Sequence, residues 1–234
     1  VVSELPGAQG MNADILDRLF DAALVVLGAV ISMGTALLFE RWRLRLRDQE
    51  TASGIVSKFF AAYNAILGTK SQIEAMLLRG GNPDPPDRWA VVMQLIGGSD
   101  ELNELNGLEL SLLHRTKEAG LFNEIAEVLR ANRIIHHSVE KYNELRSLTQ
   151  AAAAPHARFD VGADGAPMGR IELDREQYPV VYSKILECNS VLAGLMESLE
   201  RGERLANATK LSLNAAIERN RRSWGRVPGI ADPA

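Results

Sequence analysis

Apolar and polar positions follow several distinct rhythms along this chain. From Ala22 to Phe39 (AALVVLGAVISMGTALLF) there is no alternation, because no charge interrupts the run. Its only polar side chains are Ser32 and Thr35, whose hydroxyls can bond back to their own helix. About 18 helical residues at ~1.5 Å each cover about 27 Å, close to the hydrocarbon thickness of a bilayer. The pattern predicts one transmembrane helix. Glu40-Arg41-Trp42-Arg43-Leu44-Arg45-Leu46-Arg47 follows directly, so Arg41, Arg43, Arg45 and Arg47, with Trp42, are the expected membrane-interface residues.

Beyond this run the period changes. Ile55, Phe59, Tyr63, Ile66, Ile73 and Leu77 recur every three or four residues, with Lys70 the one polar interruption, and predict an amphipathic helix. With no proline between Gly7 and Asn82, an unbroken helix of roughly 65 residues, on the order of 100 Å, is expected to end at Arg79. Gly80-Gly81-Asn82-Pro83 stops it. A short helix is expected from Arg88 to about Ile96, capped by Asp87 and carrying Trp89, Val92 and Leu95 on one side. Ser99 is expected to open the next helix, with Leu102, Leu105, Leu108, Leu112 and Leu113 as its apolar face. A bend is expected near Thr116 to Gly120.

The stripe resumes with Leu121, Ile125, Val128, Ile135, Val139 and Tyr142, and Asn132 falls on it. It fades near Gln150. Arg158–Val161 and Arg170–Leu173 flank Gly162 to Pro167 and suggest a β-hairpin around Asp164-Gly165, with a linker as the alternative. A last long helix is expected from about Pro179, with Val181, Ile185, Cys188, Leu192, Leu195, Leu199, Ala206, Leu213 and Ile217 inward and Arg219 to Arg222 at its end.

The fold class expected is all-α. A single N-terminal transmembrane helix continues into a cytoplasmic antiparallel helical bundle, with a short hairpin or loop at 155–174. The expected divisions are a tail at 1–18, the membrane helix with its basic flank at 19–47, the bundle at 48–222 with an irregular insert at 151–178, and a tail at 223–234.

Composition narrows the picture. The 234 residues carry a net charge of −4, with 46% hydrophobic, 24% charged and 6% aromatic residues, so nothing draws the whole chain toward nucleic acid. A mean hydropathy of −0.07 and one long uncharged run argue against several membrane spans. One cysteine, Cys188, allows no intrachain disulfide and suits a reducing compartment. The flank before the run is acidic, with Asp14, Asp17 and Asp21 against Arg18, and no small-residue cleavage site follows. Both features argue against a secretory signal. Since cytoplasmic flanks carry the excess of Lys and Arg, the expected location is the inner membrane of a bacterium, N-terminus outside and bundle inside.

Candidate chemistry is sparse. Gly28, Ser32 and Ala36 fall four apart with Thr35 beside them, a face on which a second helix can pack closely in lipid. Asn132, His136, His137 and Glu140 form the candidate polar cluster, with His136 and Glu140 one turn apart. No Glu-x-x-His pair, nucleotide loop or nucleophile elbow occurs, so no catalytic residue, cofactor or metal is expected. Most of the helical asparagines are expected on solvated faces. The partners expected are membrane lipid and either another protein or a second copy, met through the membrane and bundle helices. A non-enzymatic membrane-anchored scaffold or adaptor is the leading expectation. A transmembrane signal transducer and an enzyme with a pocket inside the bundle are the alternatives.

Overall fold

The computed structural model describes residues 8–84, 87–97, 104–161, 167–172, 175–176 and 178–224. The chain divides into two compact units, Val1–Glu50 and Thr51–Ala234. Helix α1, Ala8–Arg79, supplies helical residues to both. It begins well before residue 19, within the stretch expected to be a tail. In the first unit, everything from Leu19 to Arg47 is exposed. Among the described residues, this is the one helix long and apolar enough to cross a membrane.

The second unit is a helical bundle. After α1 come α2 (Arg88–Val91), α3 (Gly107–Arg115), α4 (Ala119–Ala153), a 3-10 turn, β1 (Ala157–Val161), β2 (Pro167–Ile171), α5 (Tyr178–Arg219) and α6 (Arg221–Trp224). Pairs of contacts give the directions. Thr149 donates to the Lys184 carbonyl at one end, and Arg219 meets Glu118 at the other, so α4 and α5 are antiparallel. Tyr63 donates to Asn207, and Lys70 lies 2.5 Å from Glu203, so α1 is antiparallel to α5 as well. The interrupting Lys70 therefore has a structural use, and its hydrogen bond to Glu203 raises its pKa.

The predicted stripes form the core. Ile55, Phe59, Ile66, Ile73 and Leu77 of α1 are buried with Ile125, Val128, Ile135 and Val139 of α4 and Leu192, Leu195, Leu199 and Leu213 of α5. Each such leucine or isoleucine contributes about 1.5–3 kcal/mol of burial. The three long helices crowd together at Gly202, where an added Cβ would lie 3.1 Å from the Ile135 methyl and 3.5 Å from Ile66.

Helix ends follow local chemistry. Gly81 (φ 76) closes α1, with Gly81 and Asn82 donating to the Leu78 and Leu77 carbonyls, a Schellman closure. The expected bend at Thr116 to Gly120 closes α3 the same way, but with Lys117 at φ 62 where glycine is favoured.

Several expectations are corrected. Helix α2 stops at Val91, not near Ile96, and Asp87 makes no side-chain cap. Ser99 and Leu102 lie outside the described residues. The described helix α3 opens at Asn106, whose side chain accepts from Leu108 and Glu109 while Glu109 accepts from the Asn106 amide, a capping box. Leu108 is exposed, because it points away from the buried Glu109–Leu112–Leu113 face. The hairpin is present, with Ala157 opposite Ile171 and Val161 opposite Pro167, so β2 starts earlier than Arg170. Trp224, expected in a tail, is fully buried in the bundle core.

Candidate functional site

Two places stand out when the candidate residues are set on the fold. The first is the uncharged run of α1. None of it is buried, and Val25, for example, is 73% exposed. A core helix of a water-soluble protein would be covered by its neighbours, and this one is not. Gly28, Ser32, Thr35 and Ala36 are all exposed, and nothing lies within 4 Å of a Cβ built on Gly28. Thr35 donates to the Ile31 and Ser32 carbonyls at 3.0 and 2.9 Å, so its hydroxyl is satisfied within the helix. Trp42 is exposed and lies 5.8 Å from Phe39, ring to ring, at the end of the run. Arg41, Arg43, Arg45 and Arg47 are exposed around it.

The second place was not foreseen. Residues 92–97 leave helical geometry at Val92 and descend alongside α4, where a helix was expected. The cause is nonlocal: side chains of neighbouring helices take up the backbone groups that a helix would pair internally. Asn143 of α4 accepts from the Leu95 N–H and donates to the Leu95 carbonyl, both at 2.9 Å, as a neighbouring strand would. The Val92 carbonyl accepts from the Tyr142 hydroxyl at 2.6 Å and from Arg146 Nε at 2.8 Å. Gln72 of α1 accepts from the Ile96 amide at 3.2 Å, and Asn189 of α5 accepts from the Trp89 amide at 3.1 Å. Val92 and Leu95 are buried, whereas Met93 and Ile96 are exposed. Gly97 is required by close approach, since a Cβ there would come within 3.1 Å of the His136 ring and 3.3 Å of Val139.

Asparagines take up backbone groups in three separate places, one of them the strap. Asn106, Asn143 and Asn189 satisfy backbone groups, and Asn132 is buried on the α4 stripe. Asn132 is buried on the stripe where it was expected, whereas Asn143 and Asn189 are half-buried instead of solvated. The signal that pointed the other way was Asn143 directly beside the buried Tyr142.

The candidate polar cluster is partly assembled. Glu140 lies between two imidazoles, 3.4 Å from His136 Nε2 and 3.3 Å from His137 Nδ1. The predicted one-turn pair is present and His137 joins it. Asn132 sits one turn earlier, in the core. Among the described residues no group of three or more His, Cys, Asp or Glu is placed to hold a metal ion.

Elsewhere, polar groups tie elements together. Glu109, 4% exposed, receives Lys58 Nζ of α1 at 2.9 Å and the Asn106 amide at 2.7 Å. Glu118 receives Arg219 through two bonds of 3.0 and 2.8 Å and Asn220 at 3.0 Å. The Arg219 hydrogen bond holds the Glu118 carboxyl below its ordinary range against the opposing effect of burial. Burial pushes the Cys188 thiol up to about 11 and raises the Tyr142 phenol.

Compared with known proteins, the chain matches no family model, no curated protein and no solved structure.

Proposed function

We propose that this chain is a single-pass membrane-anchored helical scaffold or adaptor, which docks or assembles with other proteins at the inner membrane and does no chemistry itself. The observation that carries the reading is the uncharged, wholly exposed run from Ala22 to Phe39. Apolar side chains covering every face of a helix of this length are far less costly in lipid than in water. The four arginines after the run, against Asp14, Asp17 and Asp21 before it, favour an N-terminus outside and a cytoplasmic bundle. Gly28, Ser32, Thr35 and Ala36 offer the packing face for a second membrane helix.

The second half of the reading, that the bundle does no chemistry, draws on its polar groups. Glu109, Glu118, Asn143 and Tyr142 are each engaged in holding one element to another.

The test is flotation of membranes from cells that make the full chain, followed by carbonate extraction and protease treatment of right-side-out vesicles. The chain should stay with the lipid through carbonate, and the bundle should resist digestion until the vesicles are opened. Release by carbonate defeats the anchor, and digestion of the bundle in sealed vesicles reverses the orientation.

A further inference from the structure

One end of the bundle is strongly basic. Glu118, just before α4, holds Arg219 at 2.8 Å and Asn220 at 3.0 Å, so the turn from α3 into α4 and the turn from α5 into α6 lie side by side. Residues 115–118 and 218–222 bring five cations to this place, Arg115, Lys117, Arg219, Arg221 and Arg222, against two carboxylates, Glu118 and Glu218. All five cations are exposed. The whole chain carries −4, so this end locally reverses its charge.

These cations are held in place. Trp224 is fully buried, and the Ser223 and Trp224 amides donate to the Asn220 carbonyl at 2.9 Å, so α6 is pinned and carries Arg221 and Arg222 with it. Lys117 sits at φ 62, where glycine fits more easily. A charged side chain kept at a conformational cost points to a use for its charge.

This is also the end at which α1 enters the bundle. Tyr63 meets Asn207 and the two helices are antiparallel, so twelve residues back to Thr51 and twelve on to Arg219 reach the same level. Arg47, the last arginine of the flank, precedes Thr51 by four residues. Four residues span at most about 14 Å, whatever the angle between the two units.

We propose that this end of the bundle is a contact surface for anionic lipid headgroups, with Lys117, Arg221 and Arg222 as its centre. Charge and continuity with the basic flank select the occupant. Anionic headgroups form a negative plane, and each basic side chain near it adds attraction, which reaches about 8 Å in physiological salt. The inference rests on the anchor reading and deepens it: the membrane helix fixes the chain to lipid, and the basic end orients the bundle on the lipid surface.

The experiment reconstitutes the full chain into vesicles of phosphatidylcholine alone and of phosphatidylcholine with phosphatidylglycerol, each containing a headgroup-labelled acceptor lipid. A donor dye is attached at Ala119→Cys, an exposed position at the same end, while the buried Cys188 stays unlabelled. Energy transfer should be at least about twofold greater in the anionic vesicles, and high salt should remove the difference. Lys117→Gln with Arg221→Gln and Arg222→Gln should bring transfer in anionic vesicles down to the zwitterionic level. Arg221→Gln with Arg222→Gln serves if the triple variant loses its helical circular dichroism. Flotation and carbonate resistance should be the same for all of these chains, which separates failure of this contact from failure of the anchor. Equal transfer in the two kinds of vesicle, or transfer indifferent to the substitutions, overturns the proposal. Transfer abolished by poly-glutamate at a concentration well below that of the anionic lipid also overturns it, because the end then belongs to an acidic protein.

Discussion

In α5, Leu192, Leu195, Leu199, Ala206 and Leu213 recur every three or four residues or at multiples of that spacing, and all are buried. Between them, on the outer face, Arg201 pairs with Glu197 and Arg204 lies 3.8 Å from Glu200. In Leu19–Phe39 of α1, leucines and valines are more frequent still, yet no residue is buried and no charge lies between Ala22 and Phe39. The two stretches differ in where the apolar side chains are placed around the helix axis. A stripe needs one protein neighbour, and a helix apolar on all sides needs a surrounding medium. The apolar run of α1 is far more hydrophobic than α5, because in α5 charged and amide residues occupy the outer face.

Substitutions that act on one stretch and spare the other test this contrast. Leu199→Ala leaves a cavity among α1, α4 and α5 and should cost about 2–5 kcal/mol of bundle stability in thermal or denaturant melts. Its membrane flotation should be unchanged. Ile31→Arg is the mirror case. It should cost about 3 kcal/mol of membrane insertion, seen as loss from the carbonate-resistant fraction, with no change in the bundle's melting. If both variants shift both readouts, the two stretches are not separate in the way their exposures imply.

Two smaller effects sharpen the polar side of the comparison. Lys58→Met leaves the 4%-exposed Glu109 carboxylate without its cation. Partial exposure of Lys58 discounts the cost to about 2 kcal/mol, below the usual range for a broken buried pair. Lys117→Gly removes a side chain from a left-handed position at φ 62 and should stabilise the bundle by about 1 kcal/mol. Both are read by denaturant midpoints.

The last effect is one of pH. The Arg219 hydrogen bond lowers the folded pKa of Glu118 from its ordinary 4.5. A lowered carboxylate stabilises the fold at pH values above the unfolded pKa. That contribution is lost as pH falls below 4.5 and through the folded value. Glu118→Gln should therefore flatten the fall in melting temperature with acidification across that interval.

The long helices were legible because their burial is written in local periodicity: Ile55 to Leu77, Leu121 to Tyr142 and Val181 to Ile217. The bend before Ala119 and the hairpin were legible from glycine, proline and alternating residues. What was not legible depends on partners distant in sequence. Trp89, Val92 and Leu95 have helical spacing, and the strap is nevertheless non-helical because Asn143 and Tyr142, about fifty residues later, hold its backbone. The start of α3 is a different kind of miss. Asn106 and Glu109 spell a capping box, but Ser99 with Glu101 and Leu102 spells a competing helix start a few residues earlier. Trp224 follows a run of arginines and looks like the start of a tail, yet α6 turns it into the core.

Cys188 has a practical consequence. Its thiol is fully buried, and burial pushes its pKa to about 11, so at neutral pH it is almost entirely in the unreactive protonated form. Labelling chemistry thus meets a silent background. One cysteine introduced at a chosen surface position, on either unit, can carry a spin label or dye by itself while the native residue stays in place.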